Sequence, residues 1–203
     1  MTIFFHKNDL PDNVNFTKSV AIDTETMGLN IIRDRLCLLQ ISAGDGNAHL
    51  IKFEQQKYDA PNLKKILSDN SIQKIFHFAR FDLATIKYYL NVNIENVYCT
   101  KIASRLVRTY TDSHGLKSIC EELLGVEISK KQQSSDWGNN EISEKQLEYA
   151  ASDVLYLHAL KEKLDKMLIR EKRFEIFQDC VNFLKTRIEL DLQGFLTIDI
   201  FSH

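Results

Sequence analysis

Short apolar runs rich in β-branched residues alternate with helical patterns in the first half of the chain. Such runs are typical of strands, and a turn rich in Gly and Asn at residues 43–47 joins two of them into a hairpin. The predicted strands cover residues 19–24, 36–42, 48–53, 73–77 and 96–98. The predicted helices cover residues 61–67, 81–90 and 100–108, the first with a proline in its opening turn. Strands interleaved with helices predict an α/β domain with one mixed sheet.

The second half of the chain is predicted to be mostly helical. The expected helices cover residues 116–124, 143 to about 172, and 173–189. Ser143 and Gln146 have the spacing of a capping box at the start of the long helix. Apolar residues then recur at helical spacing and predict one buried stripe, at Ala150, Val154, Leu157, Leu164 and Leu168. No linker is visible, so we expect residues 1–203 to form a single domain with a short helical tail.

Charge and composition exclude several classes of protein. The 203 residues include 26 Lys and Arg and 28 Asp and Glu, a formal net charge of −2, which argues against a basic protein that coats nucleic acid. The longest uncharged stretch, residues 36–44, is too short to cross a membrane, and the N-terminus lacks a signal-peptide pattern. We therefore expect a cytoplasmic protein with no membrane partner. The four cysteines form no metal-binding clip, and Cys37 and Cys120 are expected to be buried.

Two acidic residues end the first predicted strand. Asp23 and Glu25 are two positions apart, so their side chains project from the same face. Like charges so close together repel unless a cation lies between them, and Mg²⁺ prefers carboxylate oxygens. The alternative is a pair of solvated acids at a strand end.

Two further patterns place polar groups beside apolar ones. Asp82 follows a strand and lies among aromatic residues, where it is either a buried acid with a partner or an acid that complements a helix dipole. Tyr149 and Asp153 are four apart on the long helix and share a face. Small residues separate them and allow another element to approach. The alternative is an exposed Tyr and Asp on an amphipathic helix.

Taken in order, these residues resemble the three motifs of the DEDD 3′–5′ exonucleases, in the subgroup that has Tyr in the third motif. The matching segments are Asp23-Thr24-Glu25-Thr26, Phe81-Asp82 and Tyr149-x-x-x-Asp153, with Glu148 where the other subgroup has His. Residues 77–83, 115–126 and 130–137 are similar to ribonuclease D, and the resemblance covers roughly residues 17–170. It implies a ribonuclease H-like exonuclease fold, a central mixed sheet flanked by helices, in a short form without the further helical domains of longer members.

The resemblance also implies a chemistry. Asp23, Glu25, Asp82 and Asp153 would hold two divalent ions, Mg²⁺ or Mn²⁺, with Asp23 bridging both and with Glu25 and Asp153 nearer the attacking water. Tyr149 would orient that water, because a phenol with a pKa near 10 is a poor base at neutral pH. The expected reaction releases nucleoside 5′-monophosphates from RNA 3′ ends, as in maturation or turnover of transfer RNA and other stable RNAs. Single-stranded DNA as substrate, or a catalytically silent nucleic-acid-binding module, are the alternatives.

The substrate-binding residues are expected around these motifs. Met27 and Leu29 would wedge against the terminal base, and Phe81 and Trp137 would stack or pack near the 3′ end. Lys130, Lys131, Gln133 and Ser135 are candidate phosphate contacts. Thr24, Thr26 and His77 complete the predicted set. The alternatives are core burial for Trp137, a structural role for His77 and a solvated loop for the lysines. The sequence predicts no oligomeric state.

Overall fold

The computed structural model describes residues 1–129 and 131–203. Within these residues the strands are β1 (Thr2–Lys7), β2 (Ser19–Thr26), β3 (Leu36–Ser42), β4 (Asn47–Lys52), β5 (Gln73–Phe76) and β6 (Val97–Cys99). The helices are α1 (Pro61–Ser68), α2 (Ala79–Leu90), α3 (Thr100–Val107), α4 (Leu116–Leu124), α5 (Glu144–Leu155), α6 (Leu157–Arg170) and α7 (Phe174–Leu190). A π-helical turn, Asp191–Phe195, follows the last helix.

The strands form one mixed sheet in the order β1-β4-β3-β2-β5-β6. Strand β3 runs antiparallel to both of its neighbours, whereas β2, β5 and β6 run parallel to one another. The carboxyl ends of these three parallel strands therefore meet at one edge of the sheet, where helices α2 and α3 begin directly after β5 and β6. The predicted α/β class and the mixed sheet are confirmed.

Both faces of the sheet are covered. All seven residues of β3 are buried, which requires helices on each side of the strand. Helix α2 packs on β2, β3, β5 and β6, and helix α5 packs on β1 to β4. Cys37 and Cys120 lie within the core, as predicted. No helix in the described residues has the length and hydropathy that a membrane span requires.

The long helix predicted from Ser143 to about residue 172 is wrong, because the structure has two helices that meet at Tyr156. The capping box of Ser143 and Gln146 is present at the start of α5. Within α5 the Ser152 hydroxyl donates to the Tyr149 carbonyl (2.7 Å), a local bond of the kind that bends helices. The break lets α5 pack on the sheet while α6 packs on α3 and α4, so the apolar stripe stays buried along both helices.

Strand β1 was not among the predicted strands. It pairs in parallel with β4 at the edge of the sheet, and its residues are exposed or half-buried, so it has no alternating pattern. One of its contacts with β4 is a histidine pair: His6 Nε2 lies 3.0 Å from His49 Nδ1, with the rings stacked. Phe4 stacks on His49 as well. A neutral pair shares one N–H···N hydrogen bond, whereas two protonated rings would present donors to each other.

The histidine pair predicts a loss of stability at low pH. Burial lowers the pKa of both rings, and the charge of His6 lowers the pKa of His49 further. As the pH falls, the two histidines of the unfolded chain therefore bind protons before the native pair does. The contribution of the pair to the free energy of unfolding is present above about pH 6.5 and is lost as the pH falls. We expect His6→Gln to lose less unfolding free energy than wild type between pH 8 and pH 5.5 in urea titrations. Equal losses in the two proteins would contradict this.

The C-terminal turn is fastened to the start of helix α2. The Asp191 carboxylate, fully buried, accepts hydrogen bonds from Arg80 Nε (2.6 Å) and from Arg187 Nη2 (2.6 Å). Arg80 also donates to the Leu196 carbonyl (2.8 Å). The C-terminal turn thus packs against the helix that contains Asp82.

Candidate active site

Three carboxylates meet beyond the end of strand β2. Asp23, Glu25 and Asp153 each direct an oxygen into one cluster, and these oxygens lie within 4.8 Å of one another. The first two alternate along β2 with Thr24, so they face helix α5 and its Asp153. Asp23 and Glu25 are half-buried and Asp153 is buried.

The neighbouring residue on β2 reaches a fourth carboxylate. Thr24 Oγ1 donates to Asp82 Oδ1 at 2.6 Å, and both side chains are buried. Asp82 lies in the first turn of α2, where the helix N-terminus favours negative charge. The Thr24 hydroxyl therefore has a partner inside the protein, and the substrate contact expected of Thr24 stays a prediction.

The electrostatics of the cluster favour a cation. Burial raises the pKa of Asp23 to about 7. Burial also raises the pKa of Glu25 and of Asp82 well above the usual range, and the charge of Asp23 raises both further. These shifts mean that the folded protein opposes ionisation of groups that are ionised at neutral pH in water.

Tyr149 faces the same cluster from helix α5. Burial raises the pKa of its phenol strongly, and the carboxylates of Asp153, Glu25 and Asp23 add to the shift. The phenol therefore stays protonated at neutral pH and acts as a hydrogen-bond donor. Its ring lies 6.0 Å from that of Trp137, which is only 2% exposed and contributes to the core.

The segment before α5 is held in place through its backbone. The buried Lys52 ammonium donates to the Trp137 carbonyl, and Arg35 donates to the Gly138 carbonyl (3.1 Å). Gln146 donates to Ser135 Oγ (3.2 Å) and to the Asp136 carbonyl (3.3 Å). These bonds fix the wall of the site next to Tyr149.

One cleft of about 680 Å³ contains almost all of the residues predicted for the site. Its lining includes Asp23, Thr24, Glu25, Thr26, Met27, Leu29, His77, Phe81, Asp82, Gln133, Ser135, Trp137, Tyr149 and Asp153. Leu29, 83% exposed, and Met27 project from the turn after β2, which Thr26 closes by donating to the Gly28 carbonyl (2.5 Å). Lys130 lies outside the described residues, and Lys131 is exposed and does not line the cleft.

The cleft has further walls that the sequence interpretation missed. Phe78 and Lys101 line it, and Lys101 Nζ lies 4.2 Å from the centroid of the Phe78 ring. Gly115, Leu116, Lys117, Ile128 and Ser129 also line it. The predicted elements carried only part of the signal: residues that follow parallel strands meet at one edge of the sheet, but the sequence pattern does not say which strands are neighbours. The hydrogen bond between His77 Nδ1 and Thr100 Oγ1 (2.9 Å) joins the residues that directly follow β5 and β6.

The donor set fits divalent cations. Three carboxylates within 4.8 Å, with Asp82 beside them, provide only oxygen ligands, which suit Mg²⁺ and Mn²⁺. Burial and, for Glu25 and Asp82, the neighbouring negative charge of Asp23 raise the pKa values of Asp23, Glu25 and Asp82, and a bound cation would offset this cost.

Comparisons with known proteins agree with this geometry. A family model described as 3′–5′ exonuclease matches residues 5–169. Ribonuclease D of Bartonella henselae is 32% identical over 165 residues, which make up 81% of this chain and 40% of that protein. DNA polymerase I of Aquifex aeolicus is 35% identical over 147 residues, 72% of this chain and 24% of that protein. The chain spans about two fifths of the length of the curated ribonuclease D relatives that it matches first.

Solved structures extend the similarity to the whole chain. Brucella melitensis NrnC with bound Mg²⁺ is 57% identical with a TM-score of 0.94, and 100% of each chain is covered. The same protein bound to pGG is 57% identical with a TM-score of 0.96, with 100% of this chain and 99% of that chain covered. The fold is thus the ribonuclease H-like exonuclease fold that the motifs implied. Because the family model matches 165 of the 203 residues, the chain belongs to the 3′–5′ exonuclease family.

Proposed function

We propose that the protein is a 3′–5′ exoribonuclease that hydrolyses phosphodiester bonds at RNA 3′ ends and releases nucleoside 5′-monophosphates. The observation that carries this proposal is the cluster of Asp23, Glu25 and Asp153, with Asp82 and the Tyr149 phenol beside it, in an open cleft. Residues 1–203 then form one cytoplasmic exonuclease domain, and the natural substrates are transfer RNA and other stable RNAs in maturation or turnover.

The four carboxylates would hold two divalent cations, Mg²⁺ or Mn²⁺. Bound there, the cations supply Lewis acidity and neutralise the charge that develops on the phosphate. Tyr149 keeps its proton because burial and nearby carboxylates raise its pKa, so it orients the attacking water by donating a hydrogen bond. Thr24 orients Asp82 through its own hydrogen bond.

The walls of the cleft suit a single-stranded end. Leu29 and Met27 expose apolar surface at its rim, where an unstacked terminal base can be covered. Gln133 also lines the cleft and offers an amide to the phosphate backbone of the substrate. The NrnC structure with pGG supports a substrate that enters by a nucleotide chain end.

Single-stranded DNA is the second candidate substrate. The 35% identity to a DNA polymerase I favours it, and hydrolysis at a chain end requires no 2′-hydroxyl. The two candidate functions therefore differ in whether the cleft prefers ribose or deoxyribose in its substrate.

A pair of matched oligonucleotides tests the proposal. RNA and DNA of the same sequence, labelled at the 5′ end, are incubated with Mg²⁺ or Mn²⁺. We expect the RNA to shorten stepwise from its 3′ end with release of 5′-monophosphates, and EDTA to stop the reaction. Faster shortening of the DNA would favour the alternative, and no shortening of either would contradict both.

A further inference from the structure

Phe78 occupies an unusual position for an aromatic residue. It caps the N-terminus of α2 in the left-handed conformation, with φ 71° and ψ 45°, which is rare for a bulky side chain. Its side chain does not compensate for this by packing in the core, because the residue is 45% exposed. Neither backbone preference nor burial therefore accounts for a phenylalanine there, and strain of this kind is typical of functional sites.

The ring of Phe78 contacts a lysine of the neighbouring helix. Lys101, the second residue of α3, places its ammonium 4.2 Å from the ring centroid, a favourable cation–π contact. Both residues line the cleft that contains the carboxylates. The lysine orients the ring, and Phe78 exposes 45% of its surface where it lines the cleft.

The position of Phe78 in the cleft indicates which nucleotide it meets. Tyr149 lies with Asp23, Glu25 and Asp153, so the attacking water belongs to that side. In an in-line displacement the leaving oxygen lies opposite to the attacking one. That is the side of Asp82, which follows Phe78 by one turn of α2.

We propose that Phe78 is a stacking platform for the penultimate base, the base of the nucleotide that carries the leaving 3′ oxygen, with Lys101 as the positioning residue for its ring. This inference rests on the proposed function. Every base has a π-face, so such a platform accepts any sequence, and a lysine beside it attracts the phosphate backbone. The platform would place the scissile phosphate by gripping the strand on its 5′ side.

Binding measurements test the platform without hydrolysis. The probe is a fluorescent single-stranded RNA with a methylene group in place of the 3′ oxygen at its last linkage, and its partner probe lacks the penultimate base. Phe78→Asn removes the ring and suits the left-handed backbone, because Asn tolerates that conformation. We expect its melting temperature to equal or exceed that of wild type, while the Kd for the intact probe rises about tenfold.

The abasic probe supplies the specific readout. We expect wild type to bind the abasic probe about tenfold more weakly than the intact probe. Phe78→Asn should bind both probes equally, because the ring of Phe78 and the penultimate base are the two partners of one contact. Tyr88→Leu is the matched control, because Tyr88 is also 45% exposed on α2 but does not line the cleft, and its Kd values should match wild type. Lys101→Gln should weaken binding of the intact probe, whereas Lys101→Arg, which keeps the positive charge, should bind it as wild type does.

Two outcomes would overturn the platform. One is an unchanged Kd in Phe78→Asn, and the other is an equal loss with the intact and the abasic probe. Both can occur in an active exonuclease, and a protein that binds as expected but hydrolyses nothing would instead contradict the proposed function.

Discussion

Replacing Asp23 with Asn is expected to lower kcat on RNA by on the order of 10³-fold, because each 1.36 kcal/mol lost from transition-state stabilisation is a factor of ten and metal sites supply several kcal/mol. Asp23 shares the cluster with Glu25 and Asp153, and its charge raises the pKa of both Glu25 and Asp82. An amide keeps the shape of the side chain but cannot balance the charge of a divalent cation. Steady-state assays at saturating RNA and Mg²⁺ measure the loss of kcat.

The same substitution should not destabilise the metal-free protein. Burial raises the pKa of Asp23 to about 7, so at pH 8 the native state carries a charge whose ionisation it opposes, and Asn removes that cost. We expect the metal-free melting temperature of Asp23→Asn to equal or exceed that of wild type. The increase in melting temperature that Mg²⁺ causes in wild type should be smaller in Asp23→Asn, because a ligand stabilises the native state only to the extent that it binds.

Glu148→Gln is the matched control for this prediction. Glu148 is exposed and lies next to Tyr149 on α5, so the change removes an acid near the site without touching the cluster. Its kcat and its Mg²⁺-induced shift should match wild type. If Asp23→Asn kept kcat within tenfold of wild type, the assignment of the cluster would be wrong.

The periodicity of single strands and helices was enough to predict those site residues whose relative position depends on one element. The two-residue period of a strand predicted that Asp23 and Glu25 share a face, and the four-residue helical spacing did the same for Tyr149 and Asp153. The structure brings these residues into one cleft. The mixed sheet followed equally from the alternation of strands and helices.

Contacts between distant elements were beyond those rules. Phe78 and Lys101 meet because β5 and β6 are parallel neighbours, a pairing that no local pattern contains. The break at Tyr156 arises because α5 and α6 pack on different partners, although the apolar stripe continues through it. Strand β1 was not predicted because an exposed edge strand needs no alternation of apolar and polar residues.

The second large effect is expected outside the cleft, at Asp191. Its carboxylate is fully buried and accepts from Arg80 and Arg187, and although burial alone would raise its pKa, the bonds from the two guanidinium groups hold the pKa below the usual range. Asp191→Ala removes the carboxylate that both arginines share and leaves them only backbone carbonyl acceptors. Removing one partner of a buried ion pair costs about 3–5 kcal/mol, and because Arg80 is partly exposed we expect about 2–3 kcal/mol of unfolding free energy to be lost.

The loss should be largest where the tail meets the site. Arg80 lies in the first turn of α2, two residues before Asp82, so its release loosens the helix start that holds this carboxylate. Hydrogen exchange in Asp191→Ala should rise in the first turn of α2 and in residues 191–198. Asp199→Ala is the control, because Asp199 is exposed in the same tail and should change stability by less than about 0.5 kcal/mol. Equal costs for the two substitutions would show that the tail does not support α2, and a rise in exchange confined to the tail would show that Arg80 does not order the helix start that contains Asp82.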